Sequence, residues 1–101
     1  MRVFIDPKLV PFLKNLPSDL TVEADEYIEI FKGSGFALFP PILKKLSGYD
    51  LWELRPGNVR LLLGKITDGA VVVVGFYKAS RQTPKKYIKL AINRLKLWQK
   101  N

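Results

Sequence analysis

Residues 51–78 run Leu51-Trp52-Glu53-Leu54-Arg55, Pro56-Gly57-Asn58, Val59-Arg60-Leu61-Leu62-Leu63-Gly64-Lys65-Ile66-Thr67, Asp68-Gly69, then Ala70-Val71-Val72-Val73-Val74-Gly75-Phe76-Tyr77-Lys78. Three runs with strand-like patterns, separated by turn residues, spell strands joined in series. In Leu51–Arg55 the side chains alternate, so Trp52 and Leu54 point to one face of a sheet while Glu53 and Arg55 point to the other. Pro56-Gly57-Asn58 reads as a turn. Asp68-Gly69 is the pair favoured by a two-residue type I′ hairpin, because both central positions need positive φ. That turn sets Thr67 opposite Ala70, and counting back along both strands sets Arg60 opposite Tyr77. A guanidinium and a phenol are therefore expected side by side on one face.

Beyond Lys78, Thr83 is placed to cap a helix with Pro84 at its first position, and Tyr87, Ala91, Leu95 and Trp98 form an apolar stripe to cover the sheet. Lys85 and Lys86 fall in the first turn of that helix, where the dipole is positive and a cation costs about 0.3–1 kcal/mol. Lys78 and Arg81 lie just upstream. Four cations thus converge on a helix end whose free N–H groups already attract anions, and phosphate is the natural occupant. The plainer alternative is that long lysines simply reach water.

Before residue 51 the pattern is different. Val3-Phe4-Ile5, stopped by Asp6-Pro7, reads as a first strand joining the later sheet. Lys8–Leu16 reads as a short helix carrying Leu9, Phe12, Leu13 and Leu16 at helical spacing, with Pro11 in its first turn. Ser18 is placed to cap a second helix whose stripe is Leu20, Ala24, Tyr27, Ile28 and Phe31, with Asp25, Glu26 and Glu29 on the opposite, solvated face. Gly33 and Gly35 end it. Phe36–Phe39 leads through Pro40-Pro41 into an expected short helical turn over Ile42–Leu46, ending near Gly48.

Composition narrows the chemistry. The chain has 101 residues, 48% of them hydrophobic, enough for one compact core, and a single domain over 1–101 is expected. The Met1-Arg2-Val3-Phe4-Ile5 start meets Asp6-Pro7 before an apolar signal region can form, and the longest purely apolar run, Ala70–Val74, is far short of the roughly 20 residues of a membrane helix. A soluble, cytoplasmic protein without a membrane partner is expected. With neither cysteine nor histidine in the chain, thiolate zinc sites, imidazole bases and Ser-His triads are excluded, and no metal or cofactor is expected. Residues 1–50 carry six Lys/Arg against seven Asp/Glu, whereas residues 51–101 carry eleven against two, net +9. Such a split points to a polyanion docking on the C-terminal half, or else to a basic surface that serves solubility alone.

Cleaving RNA without metal or histidine requires activation of a 2′-hydroxyl, stabilisation of the charged pentavalent phosphate and protonation of the leaving 5′-oxygen. A guanidinium suits the second task through its planar donor fork, and a lysine among other cations, or a tyrosine, can move protons. By type, Arg60, Tyr77, Lys78 and Arg81 are catalytic candidates. Arg55, Phe76, Lys85, Lys86 and Lys89 are RNA-binding candidates, Phe76 as a stacking ring beside Lys78. Each has a structural alternative: Glu53 and Arg55 pairing across the sheet face, Tyr77 as an ordinary strand residue, Phe76 and Trp52 as core.

The segments Leu51-Trp52-Glu53-Leu54-Arg55, the Arg60 strand, Gly75-Phe76-Tyr77-Lys78 and Gln82-Thr83-Pro84-Lys85-Lys86 resemble the phage-derived HigB-like branch of the RelE/ParE toxin superfamily. The likeness extends over Leu51–Leu97; before it, only the order of elements and Lys44-Lys45-Leu46 agree. It implies an α+β fold, a twisted antiparallel sheet of about four strands flanked by N-terminal helices and a C-terminal helix. It also implies a toxin of a type II toxin–antitoxin pair that cuts mRNA on the ribosome, neutralised by a cognate antitoxin, commonly a helix-turn-helix protein. Arg60 corresponds to the arginine of the family's central strand, Phe76 and Lys78 to its Gly-Phe-x-Lys segment, and Arg55 to the end of its Trp-Glu-Leu-Arg strand. The chain departs from the pattern at Val74, where many members have histidine, at Leu63, where an aromatic is common, and at Ala79, where a second basic residue is common. The phosphate-binding part is kept better than the proton-transfer part. Two other functions therefore stay open: a non-enzymatic inhibitor of DNA gyrase, as in the ParE branch, and a basic RNA-binding module.

Overall fold

The structure, a computed structural model, describes residues 1–100. In chain order the elements are β1 (Arg2–Ile5), α1 (Val10–Lys14), α2 (Ser18–Ser34), β2 (Leu43–Lys45), β3 (Trp52–Leu54), β4 (Val59–Ile66), β5 (Gly69–Tyr77) and α3 (Lys85–Gln99). A 3₁₀ turn at Pro7–Leu9 leads into α1, so the expected Lys8–Leu16 helix is split in two. The sheet has five strands in the order β1-β5-β4-β3-β2. All neighbours are antiparallel except β1, which runs parallel to β5 at one edge. The α+β expectation holds, with one strand more than expected and a mixed sheet.

The extra strand is β2, where a helical turn was expected. Leu43 is buried and pairs with Leu54, Lys44 with Glu53 and Lys45 with Trp52. Three residues are too few to show a period, and a neighbouring strand with free backbone groups decides the conformation instead. Gly48 at φ +83 helps turn the chain back from Leu46 to Leu51, whose carbonyl accepts from the Leu46 N–H at 2.9 Å.

The β4–β5 hairpin exists but turns elsewhere than at Asp68-Gly69. Ile66 pairs with Gly69, leaving Thr67 and Asp68 as the turn residues, and neither has positive φ. Gly69 is instead a strand residue, required by the close approach of β1: a Cβ there would collide with the Arg2 carbonyl. Further along, the register shifts between Leu62 and Leu63, since Leu62 faces Val74 whereas Leu63 faces Val72. Val73 is the extra residue of this bulge, so Val73 and Val74 both join the core on the same side. Consequently Arg60 stands opposite Phe76, and Tyr77 stands opposite Val59.

Each sheet face is covered. On one, Leu61, Leu63, Ala70 and Val72 pack with Leu9 and with Ala24, Ile28 and Phe31 of α2; on the other, Leu62, Val71, Val73 and Phe76 pack with Ile88, Ala91 and Leu95 of α3. Being buried on both sides, β4 and β5 read as continuous apolar runs rather than as alternation. Gly64 lets α3 lie close to the sheet, because a Cβ there would run into the Leu95 side chain. Buried Asp6 accepts from Trp98 Nε1 at 2.9 Å and from the Lys8 N–H at 2.8 Å, tying the chain start to the end of α3. Neither expected cap forms. Ser18 is the first residue of α2 and Thr83 precedes α3 by two, while Pro17 and Pro84 hold the cap positions without a side-chain bond. The Pro17 carbonyl accepts from Thr21 N–H and the Pro84 carbonyl from Tyr87 N–H.

Candidate nucleic-acid interface

At the end of the sheet where β3, β4 and β5 approach the start of α3, a single carboxylate organises the surroundings. Glu53, in the middle of β3, is only 2% exposed. Its Oε1 accepts from Arg55 Nε at 3.0 Å and lies 3.8 Å from Arg60 Nε; its Oε2 accepts from the Thr83 hydroxyl at 2.6 Å. The alternation read in Leu51–Arg55 puts Glu53 and Arg55 on the α3 side, so the carboxylate meets both guanidinia and the loop entering the helix. Thr83, expected as a cap, is spent on Glu53 instead.

Arg60 donates through Nη1 to the carbonyls of Gly57, at 2.9 Å, and Val59, at 2.8 Å. Burial lowers its pKa from the ordinary value; Glu53 opposes that shift and the charge of Arg55 adds to it. An arginine stays protonated at physiological pH regardless. What the shift records is a cation that has lost part of its hydration and would gain from an incoming anion.

Arg60, Lys78 and Arg81, with Glu53 and Thr83, line a cavity of about 10 Å³, room for one water. Beside it opens a cleft of about 380 Å³ lined by Lys44, Lys45, Tyr49, Arg55, Arg81 and Lys85, with Leu46 and Ile88 at its base. The two share Arg81, Gln82 and Thr83 and so form one continuous feature. Lys78 and Arg81 are exposed in the loop, which is anchored where the Lys78 N–H donates to the Asn58 carbonyl at 2.8 Å.

Five of the nine residues singled out in the sequence are thus brought together: Arg55, Arg60, Lys78, Arg81 and Lys85. Tyr77 is not among them. The bulge turns it to the opposite face, where its ring meets Phe12 edge-on at 5.6 Å, away from Arg60. Phe76 lines the small cavity but is 5% exposed and stacked under Tyr87 at 4.2 Å, so it offers no free ring face to a base. Lys86 lies over Tyr87, its Nζ 4.9 Å from the ring, and Lys89 is exposed one turn further on; neither lines the two cavities. Sequence reasoning missed Lys44, Lys45 and Tyr49, because the expected helical turn hid the strand that carries the two lysines and the turn after it that carries the tyrosine. The alternation of Glu53 and Arg55 was the one signal for the hub. Among the described residues no cluster of Asp and Glu could hold a metal ion, and no helix is long and apolar enough to cross a membrane.

A mixed five-stranded sheet with a cationic cleft at the mouth of its last helix defines a small α+β protein. The chain matches the phage-derived Gp49-like protein family (DUF891) over residues 11–96 and belongs to that family. A similar solved structure is a chain of the RelB–RelE antitoxin–toxin complex from Methanococcus jannaschii, at 20% identity and a TM-score of 0.62, covering 73% of this chain and 88% of that one. The fold is therefore RelE-like, as the resemblance implied. No curated protein matches the chain in sequence.

Proposed function

We propose that this protein is the toxin of a toxin–antitoxin pair and that it cuts mRNA on the ribosome. The observation that carries the reading is the convergence of Arg60, Lys78 and Arg81 on one cavity, continuous with the cleft of Arg55 and Lys85. In the reaction the RNA 2′-hydroxyl gives its proton to a solvent water as its oxygen attacks the adjacent phosphorus, the bond to the 5′-oxygen breaks, and a 2′,3′-cyclic phosphate and a 5′-hydroxyl result. Arg60 and Arg81 hold the phosphate oxygens as negative charge builds up, and the Lys78 ammonium supplies the proton to the leaving oxygen. Its place of action is the cytoplasm, and its regulator is a cognate antitoxin of the helix-turn-helix class. The RelE-like neighbour comes from an antitoxin–toxin complex, which supports such a partner.

One observation favours a second reading, inhibition of DNA gyrase by binding alone: Tyr77 lies on the wrong face to share proton transfer with Lys78. Induced expression with separate readouts of translation and DNA supercoiling distinguishes the two. A fall in translation with mRNA cleavage and unchanged supercoiling is the expected result; relaxed DNA with intact mRNA supports the gyrase reading and overturns the first.

A further inference from the structure

We propose that the cleft between β2 and the first turn of α3 is a second nucleotide subsite, which takes the phosphate and base flanking the phosphate held at Arg60. The inference rests on the RNA-directed reading above and adds the residues Lys44 and Tyr49 to it.

Three features of the cleft argue for a nucleotide. Its rim is cationic and draws on separate elements: Lys44 from β2, Arg55 after β3, Arg81 from the loop and Lys85 from α3; no carboxylate lines it. Among the described residues, Lys44, Arg81 and Lys85 enter no salt bridge, so their charge is available, whereas Lys45 stands on the Trp52 side of the sheet, its Nζ 5.6 Å from that ring. Glu53 stands across the strand pair from Lys44, but its two oxygens are already engaged by Arg55, Arg60 and Thr83. The floor is apolar, with Leu46 and Ile88 each 7% exposed, and the half-buried Tyr49 forms a wall. Lys45 Nζ donates to the Tyr49 carbonyl at 2.8 Å, which fixes the segment bearing that ring.

An apolar floor, one aromatic wall and a cationic rim are the parts from which single-stranded nucleic-acid sites are made: the ring takes a base and the rim takes the backbone. Size separates the two cavities. The cleft, at about 380 Å³, falls in the range of small-ligand sites, whereas the space at Arg60 has room for one water. Because they share Arg81, Gln82 and Thr83, one RNA strand can run from the cleft to Arg60 without leaving the protein. The cleft therefore grips the strand first, and Arg60 reads the neighbouring phosphate.

The test is a fluorescence-anisotropy titration of a labelled single-stranded oligoribonucleotide at several salt concentrations, using the parent, Lys44→Gln/Lys85→Gln, Lys44→Arg/Lys85→Arg and Arg60→Ala. The Gln pair should weaken binding by about 3- to 30-fold and reduce the slope of log affinity against log salt by about 0.7–1.4, one or two released phosphate contacts. The Arg pair should bind like the parent, and Arg60→Ala should lose one phosphate contact, a slope change of about 0.7. Parent-like affinity and slope in the Gln pair, or no RNA binding by the parent, overturns the subsite. Should the Gln pair fail to fold, as judged by its melting curve, the exposed single variant Lys44→Gln is read in its place, with a slope change of about 0.7 expected. If the parent and the variants bind as expected yet no mRNA is cut on ribosomes, the cleavage reading fails while the subsite stands.

Discussion

Glu53 holds two arginines and a threonine with one buried carboxylate, an arrangement that is costly to disturb. A buried ion group left without its partner loses far more than a surface pair, because the remaining charge keeps its desolvation cost. In Glu53→Gln the amide preserves the shape but removes the counter-charge of Arg55 and Arg60. Stability should fall by about 1–3 kcal/mol, and added sulfate should raise the melting temperature of the variant more than that of the parent, since the freed guanidinia gain an anion. An unchanged melting temperature with an identical sulfate response would show that Glu53 is only a spacer. At this scale the sequence was legible where it depended on alternation, as with Glu53 and Arg55, and illegible where it depended on register. Tyr77 lost its expected place beside Arg60 because Val73 bulges and because Gly69 is needed against Arg2 rather than in the turn. No residue type in Val71-Val72-Val73-Val74 marks which valine is the extra one.

At the scale of elements, α3 opens on a conflict, with Lys85 and Lys86 at its positive end and no side-chain cap. Lys85 faces the cleft, and Lys86 lies against the Tyr87 ring. Replacing both with Glu should favour the helix dipole by about 0.3–1 kcal/mol per site, less whatever the Lys86–Tyr87 contact contributes. Thermal stability should hold or rise, while ribosome affinity falls and its salt dependence flattens. A melting curve and a ribosome titration on the same variant check this; unchanged affinity would leave the two lysines as solvated surface. The long helices and long strands could be read from their apolar periods, as Ala24, Ile28 and Phe31 or Ala91 and Leu95 show. β2 could not be, since three residues take their conformation from β3, and with β2 went Lys44 and Lys45. The caps failed for a related reason. Thr83 has a stronger partner in Glu53 than the helix end offers, and only the tertiary fold reveals it.

Across the whole molecule residues 51–101 carry net +9 against −1 for residues 1–50, and β3, β4, β5, α3 and the segments beside them gather much of it around one opening. Long-range attraction of this kind acts on encounter more than on the bound state. If the antitoxin covers the basic side with an acidic or helical segment, its association rate should fall steeply as ionic strength rises. A flat rate, or binding centred on the exposed acids Asp25, Glu26 and Glu29 of α2, would place it elsewhere. Charge asymmetry and the Leu51–Leu97 resemblance were enough to foresee the family and the RelE-like fold, because both are written in local sequence. The shape of the site was not, because it arises where four distant segments meet.

The claim on which the account turns is that Arg60 faces RNA phosphate. It is tested most directly by incubating purified protein with ribosomes programmed with a defined mRNA and mapping the cleavage ends, parent beside Arg60→Ala. Parent protein should produce fragments ending in a 2′,3′-cyclic phosphate, and Arg60→Ala should lose about 100-fold or more of that rate, the scale of removing one group that stabilises transition-state charge, while retaining a folded state by its melting curve. Cleavage by Arg60→Ala at the parent rate, or no cleavage by the parent on any programmed ribosome, would contradict it.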